Sequence, residues 1–547
     1  MPRSGRRGQL RGCVALTALT LVAVSGCGSR VSRDAVLAAE AGLGSRVPAA
    51  LAQGTAVATD NPASTAEAAP AAAAAGTAVA PAATQAIKVP AVASTTTATA
   101  KPASAPGKVA ATASDKGASV PAATAGGEGL PVLCAKPGPP ISIGQVGSWS
   151  GLVGASIGQA RPALALWAKY MNDHGGVACH PVQLRSLDDQ SNPSSAAAAA
   201  RTLIQDDKAI ALVAVFSPIS VSGIQSVTKS TGVPAVGGDG AAHAWTSDPY
   251  LYDVGSAIES QFYLAAKHEA QEGRKKVAIF YCVEASACSN AGESLSGNSP
   301  LSATAAGQQV VYKATMSLTQ TDFTAQCEGA KNAGADSLFL GMEGSSITRF
   351  LQSCDSIDYH PSVYTVGIAA VFDVNNPAIK KYKISIGAPV FPYMEQDNSV
   401  EAAFAGAFDK YAPGFKYNAV AAQAWAEGML FQRALELLGP AAQSQQITTA
   451  LLLKGLSMIK NDGLGGLIPP QTYTPGAGGN GPNPCGAVLV YTAGVWASAD
   501  KSVFSCGPKI GGKQSAAVVG AVSDQAAAPQ TVSPAVLADR RRTATEH

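Results

Sequence analysis

Between residues 140 and 508 short apolar runs alternate with amphipathic stretches. Residues 141–146, Ile-Ser-Ile-Gly-Gln-Val, have the period of a half-buried strand. Ala160, Leu164, Trp167 and Met171 then recur at helical spacing, and Gly175-Gly176 supplies a stop. The pattern next predicts a strand over 182–187, a helix over 196–204 and a buried strand over 209–216. It continues as a strand over 277–281, a helix over 323–332, a strand over 337–340, a helix over 347–354 and a strand over 362–366. Such regular alternation predicts an α/β fold with parallel sheets flanked by helices. About 370 residues exceed what one compact core holds, so two lobes are expected, with the cleft between them as the default ligand site. The first lobe is expected over about 140–258 and 386–460, and the second over about 259–385 and 461–508.

The flanks differ in kind. Residues 28–139 are dominated by Ala, Thr, Pro, Val and Gly, with no aromatic side chain and an alanine run from Ala71 to Ala75. Without large side chains to bury, such a segment cannot offset the entropy of ordering, so a disordered tether is expected. Residues 509–547, rich in Ala, Val, Ser and Gln and carrying Arg540-Arg541-Arg542, are expected to be a disordered tail. At the N-terminus Arg3, Arg6, Arg7 and Arg11 precede an apolar run over 13–24 and then Val24-Ser25-Gly26-Cys27. The run is shorter than the ~20 residues a bilayer-spanning helix needs, and the arrangement is that of a cleaved secretory signal. Val24-Ser25-Gly26-Cys27 resembles a bacterial lipobox, which implies lipidation at Cys27 and a place on the extracytoplasmic face of the cell membrane.

Export changes how the ten cysteines read. Setting aside Cys13 in the signal and Cys27 leaves an even number, which in an exported chain implies a disulfide framework whose connectivity stays open. Proximity favours Cys282 with Cys288, Cys327 with Cys354 and Cys485 with Cys506, leaving Cys134 with Cys179. A metal site is not expected, because no CxxC occurs and the six histidines are scattered. The formal charge of +2 and the lack of a basic block interleaved with aromatics exclude nucleic acid as an expected partner.

Six segments carry a family resemblance by their order and spacing. They are Ile143-Gly144-Gln145-Val146-Gly147-Ser148-Trp149-Ser150-Gly151, Met171-Asn172-Asp173-His174-Gly175-Gly176-Val177 and Asp188-Asp189-Gln190-Ser191-Asn192-Pro193. After them come Thr231-Gly232-Val233-Pro234-Ala235-Val236, Thr321-Asp322-Phe323-Thr324 and Asn332-Ala333-Gly334-Ala335-Asp336-Ser337-Leu338-Phe339-Leu340-Gly341. From Ile141 to about Leu438 the chain resembles the branched-chain amino-acid binding proteins of ABC importers, which have the two-lobed type I periplasmic-binding fold. The resemblance implies a monomer that delivers a small solute, an amino acid or a related compound, to an ABC permease without any cofactor. It fades after Leu438, and the Gly/Pro-rich segment 469–484 has no counterpart.

In open α/β sheets ligands bind beyond the carboxyl ends of strands, where loops and helix N-termini offer N–H groups. Three first-lobe loops qualify: Ser148-Trp149-Ser150, Ser217-Pro218-Ile219-Ser220 and Gly238-Asp239-Gly240. Ser217 and Ser220 are candidate donors to a ligand carboxylate, Asp239 a candidate acceptor from an ammonium, and Trp149 a candidate platform for an apolar part, with Ser148 a ligand-binding candidate in the first loop. Gly238 and Gly240 would let backbone approach the ligand. The competing readings are helix capping for the serines, a turn acid for Asp239 and a surface aromatic for Trp149. In the second lobe Glu284 and Glu343 are the candidates. The family's amino-acid binders place an aromatic near the latter and an acid after the next strand. Here Met342 and Glu343 hold the first place, and Gly367-Ile368-Ala369 the second without an acid, a departure that argues against an amino-acid ligand.

Enzymatic motifs are weak. Gly154-Ala155-Ser156-Ile157-Gly158 matches G-x-S-x-G, but the preceding strand ends near Gly147, too early for a nucleophile elbow. His268-Glu269 is followed by Glu272 where a zinc protease needs His, so both residues are expected on a solvated face. Three readings remain: a solute-binding module serving an importer, a ligand sensor of the same fold, and, with no positive support, an α/β enzyme.

Overall fold

The computed structural model describes residues 134, 136–372, 375–476 and 481–509. The signal with Cys27, nearly all of the expected tether and the tail from residue 510 lie outside the described residues.

Strands β1 (Ile141–Gly147), β2 (Val182–Asp188), β3 (Leu212–Val215), β4 (Ala235–Gly238) and β5 (Leu251–Tyr252) form a parallel sheet in the order β2-β1-β3-β4-β5. Their central members are apolar and buried throughout, as sheets covered on both faces by helices require. The second sheet contains β6 (Lys276–Cys282), β7 (Gln309–Met316), β8 (Ser337–Gly341), β9 (Ser362–Val366) and β10 (Lys383–Ala388), parallel in the order β7-β6-β8-β9-β10. Two-lobed α/β architecture with parallel sheets flanked by helices is therefore what the chain adopts.

The second sheet also has an antiparallel extension. β11 (Cys485–Thr492) pairs with β10, and β12 (Val495–Ser498) and β13 (Ser505–Cys506) pair with β11. β11 and β12 are joined by Ala493 (φ 51°) and Gly494 (φ 98°), and two positive φ values match the right-handed twist of a tight hairpin.

Helix packing closes the first lobe. Helix Ala160–Asp173 buries Ala163, Leu164, Trp167 and Met171, and the Trp167 ring lies 2.5 Å from where a Cβ on Gly428 would stand. Gly428 belongs to helix Ala419–Glu436, whose N-cap Asn418 accepts from the Val420 and Ala421 N–H groups. Helix Thr449–Met458 approaches this helix equally closely, since a Cβ on Gly455 would lie 1.9 Å from the Ala434 carbonyl oxygen.

Three chain crossings join the lobes. Ser256 N–H donates to the Pro389 carbonyl at 3.1 Å, Phe391 N–H to Leu467 at 2.9 Å, and Ala257 N–H to Asn483 at 3.1 Å. The described parts of the Gly/Pro-rich segment, 469–476 and 481–484, lie at the third of these crossings, braced by Gln471 Oε1 on Gly255 N–H at 3.0 Å and Tyr473 on the Asp253 carbonyl at 2.8 Å. Two expected boundaries move accordingly. β10 runs past 386 to Ala388. Residues 461–473 pack on the first lobe rather than the second, through Asp462 with Arg433 at 2.8 Å and Tyr473 with Tyr252.

The four disulfides are Cys134–Cys179, Cys282–Cys288, Cys327–Cys354 and Cys485–Cys506, the pairings that proximity favoured. Glu269 corrects the sequence reading: it is fully buried, accepts from the Ser385 hydroxyl and lies 3.3 Å from Arg274. Helix Ile258–Gln271 is packed against β9, β10 and β11, so a polar position counted as outward faces the sheet. Among the described residues no helix is long and apolar enough to cross a membrane.

The close helix approach is testable by a pair of substitutions. Gly455→Ala puts a methyl group against a backbone carbonyl that has no rotamer to change, and is expected to cost about 1–3 kcal/mol. Gly406→Ala, in helix Ser399–Tyr411 with nothing within 4 Å, is expected to stabilise by about 0.5–1 kcal/mol. Urea denaturation distinguishes them; equal effects would show that the approach at Gly455 does not limit packing.

Candidate functional site

At the carboxyl ends of β1 to β3 a buried carboxylate gathers the loops. Asp189, just after β2, accepts the Ser148 hydroxyl on Oδ1 at 2.6 Å and the Ser217 and Ser220 hydroxyls on Oδ2, each at 2.6 Å. The Ser191 N–H adds a bond of 2.8 Å to Oδ1. The candidate donors Ser217 and Ser220 and the loop candidate Ser148 are thus brought together, and what they hold is the protein's own carboxylate. Asp188 braces the neighbouring loop through Trp149 N–H at 3.0 Å, Ser150 N–H at 3.2 Å and the Ser150 hydroxyl at 2.5 Å. Burial opposes ionisation of Asp188, but these bonds and the Gln190 N–H outweigh it and hold its pKa below the usual value.

Trp149 turns away from the cleft. Its indole N–H donates to the Ser186 hydroxyl at 3.1 Å, and its ring lies 2.4 Å from where a Cβ on Gly147 would stand. Gly238 is likewise occupied, because a Cβ there would meet the Trp245 ring at 2.1 Å. Gly240 (φ 65°) makes the turn that lets Asp239 accept from Ser217 N–H at 2.7 Å and Ala241 N–H at 2.8 Å. Burial pushes the Asp239 carboxyl up to about 6, against those two bonds. Asp253 and Glu427 are buried beside it and raised well above the usual carboxyl range, chiefly by burial and then by the neighbouring acids. Both Glu427 carboxyl oxygens lack hydrogen-bond geometry to a partner, the nearby Gln423 amide being committed to the Gly238 carbonyl at 2.6 Å.

The two lobes meet over a cavity of about 80 Å³. Val153, Ile157, Ile219 and Ala241 face it from the first lobe, and Phe262, Leu318, Met342, Val366 and Ile368 from the second. Of the sequence candidates, Glu343 reaches this wall. It caps helix Gly344–Ser356, accepting Ser345 and Ser346 N–H at 2.6 Å each and their hydroxyls at 2.7 and 2.5 Å. Burial opposes its ionisation, but the serine bonds dominate and lower its pKa. Glu284 stays off the wall, holding the Ser317 hydroxyl at 2.5 Å and Leu318 N–H at 2.9 Å.

Sequence reasoning missed two residues. Asp189 is the hub of the first-lobe loops, and its signal was an acid pair at a strand end among serine-rich loops. Ser156 crosses the cleft: its hydroxyl donates to Glu343 at 3.2 Å and accepts from Gly344 N–H at 3.0 Å. Its signal was the G-x-S-x-G match, whose glycines allow a tight approach; a Cβ on Gly154 would lie 2.7 Å from the Trp149 carbonyl.

The sequence profile of the family described as periplasmic binding protein matches residues 140–477. No curated protein matches the chain. Solved structures with a similar fold include a solute-binding protein of an ABC transporter from Rhodopseudomonas palustris in complex with benzoate, at 16% identity and a TM-score of 0.54, covering 68% of this chain and 98% of that one. A leucine-binding protein from Thermotoga maritima shares 15% identity with a TM-score of 0.54, covering 67% and 99%. A fatty acid ABC transporter substrate-binding protein from Thermomonospora curvata shares 15% identity with a TM-score of 0.53, covering 66% and 93%.

The raised Asp239 pKa sets a direction for pH dependence. A carboxyl raised to about 6 when folded, against ~3.9 unfolded, contributes stability that is complete below the unfolded value and lost as pH rises through about 6. Wild type is therefore expected to lose up to about 3 kcal/mol relative to Asp239→Asn between pH 3.5 and 7. Urea midpoints across that range measure it, and a wild type that gains on the variant with rising pH would contradict it.

Proposed function

The chain belongs to the periplasmic binding protein family, and from that premise we propose that it is an extracytoplasmic solute-binding protein that hands a small molecule to the permease of an ABC importer. The observation that carries this reading is the interlobe cavity at the carboxyl ends of both sheets, spanned by the Ser156 contact to Glu343 and Gly344. A solute lying there touches both lobes at once, so it favours the closed arrangement by the contacts it makes only in that state. The neighbours named for ABC transport support the same role.

The reading includes a place and a partner. A lipid on Cys27 holds the protein at the outer face of the cell membrane, and residues 28–139 tether the binding domain within reach of the permease. The protein acts as a monomer, binds one solute in the cleft and carries out no turnover of it. Within the cleft, Ser148, Ser217 and Ser220 serve through Asp189 by fixing the loops on which Pro218 and Ile219 stand, and Glu343 serves as the second lobe's partner for Ser156.

Native mass spectrometry of the undialysed protein identifies the solute that co-purifies, and small-angle scattering reads compaction when it is added back. Ser156→Ala removes the hydroxyl that bonds to the other lobe, and is expected to weaken binding of that solute about five- to thirty-fold, or about 1–2 kcal/mol. Unchanged affinity together with unchanged compaction would remove Ser156 from closure, and a wild type that never compacts would remove the closing mechanism. Cys27→Ala is expected to leave the signal uncleaved or to release the chain from membranes; normal processing with unchanged membrane partitioning would count against the anchor.

A further inference from the structure

Among the described residues every polar side chain on the cavity wall is already engaged. Glu343 receives hydrogen bonds from Ser345, Ser346 and Ser156, and it is the single charged side chain among the described lining residues. Ser156 donates to Glu343 and accepts from Gly344, while the Thr365 hydroxyl donates to the Leu340 carbonyl at 2.7 Å. Behind the wall, the Ser148, Ser217 and Ser220 hydroxyls are bound to Asp189, and the Ser217 and Ala241 N–H groups to Asp239. No Arg, Lys or His belongs to the lining among the described residues.

The charge balance then decides between ligand classes. A carboxylate entering this cavity loses hydration and meets a second carboxylate, Glu343, whose own charge is answered from behind the wall by Arg349 at 4.0 Å, while the wall itself offers the newcomer no cation and no uncommitted hydroxyl. An ammonium meets a Glu343 whose oxygens already accept from serine donors and whose charge is shared with Arg349, so its attraction there is weaker than to a bare carboxylate. A neutral hydrocarbon surface instead replaces water against Ile157, Ile219, Phe262, Leu318, Met342 and Val366, and each contact is favourable.

The geometry points to a small, uncharged, predominantly hydrocarbon molecule as the solute of this cleft, rather than an amino acid or another carboxylate. This rests on the cleft being the solute site, and it deepens that reading by fixing the solute's charge and polarity.

The full chain is titrated at pH 7 by calorimetry with toluene, benzoate, benzylamine and leucine, the first three sharing a ring and differing in charge. Toluene is expected to bind at least ten-fold more tightly than each of the others. Any charged probe binding as tightly as toluene, or no binding of toluene, overturns the inference. Scattering with a small-molecule extract of the growth medium separates the two levels: compaction with the extract but not with toluene overturns this inference and keeps the solute-binding role, and no compaction with either overturns both. Met342→Lys places a cation in the cavity and is expected to reverse the preference, benzoate gaining and toluene losing at least ten-fold. Ile219→Lys makes the same change from the facing lobe should the first variant fail to fold. A toluene affinity unchanged in a folded variant would place the toluene elsewhere and overturn the assignment.

Discussion

A carboxylate removed from water must be hydrogen-bonded on all sides, and in the first lobe Asp189 satisfies that demand by drawing three loops onto itself. Ser148 follows β1, Ser217 and Ser220 follow β3, and Asp189 itself follows β2, so one charged group fixes the rim of three adjacent strands. Charge-assisted bonds of 2.6 Å in a dry setting are stronger than neutral ones, and removing any one donor leaves charge uncompensated. Once the hydroxyls point inward to Asp189, the remaining side chains of the same loop, Pro218 and Ile219, are the ones left to face the cleft.

The second lobe uses the same device. Glu343 caps helix Gly344–Ser356 and collects the N–H and hydroxyl groups of Ser345 and Ser346. A helix N-terminus favours a negative charge, which adds to the effect of the serines in holding Glu343 ionised. In both lobes, then, polarity is spent on bracing the rim, and the wall between the rims is apolar. Beneath the first rim the balance is reversed: Asp239, Asp253 and Glu427 have too few donors between them, and burial raises their pKa values.

Much of the fold was legible because both periods were strong. The β1 alternation, the spacing of Ala160, Leu164, Trp167 and Met171, and the apolar runs of β6, β8 and β9 each became the element that they predicted. The antiparallel strands β11 to β13 escaped because an edge hairpin is set by its turn, at Ala493-Gly494, and lies beyond the reach of the α/β alternation. Glu269 escaped because a buried charge reads as a surface one until the sheet that covers it is in place. At the site, residue types were readable and directions were not. Ser217 and Ser220 were read as donors and Ser148 as part of a ligand loop, but which carboxylate they serve depends on Asp189, which comes from a different strand.

The energetics of closure follow from how little joins the two lobes across the cavity. The Ser156 hydroxyl makes two hydrogen bonds to Glu343 and Gly344, together worth about 1–3 kcal/mol by ordinary hydrogen-bond magnitudes. The crossings are tightly packed, with Gly255 (φ 80°) so close to the Pro389 carbonyl that a Cβ would lie 1.9 Å from it. At about 25 cal/mol per Å², a solute hiding roughly 150 Å² of apolar surface supplies about 4 kcal/mol, more than the bridging bonds do. On the proposed reading that a solute closes this cleft, a contribution of that size shifts the equilibrium by several hundred-fold, more than the protein's own cross-lobe contact does. The weak latch is consistent with release: a stronger one would hold the lobes shut whether or not a solute lay between them.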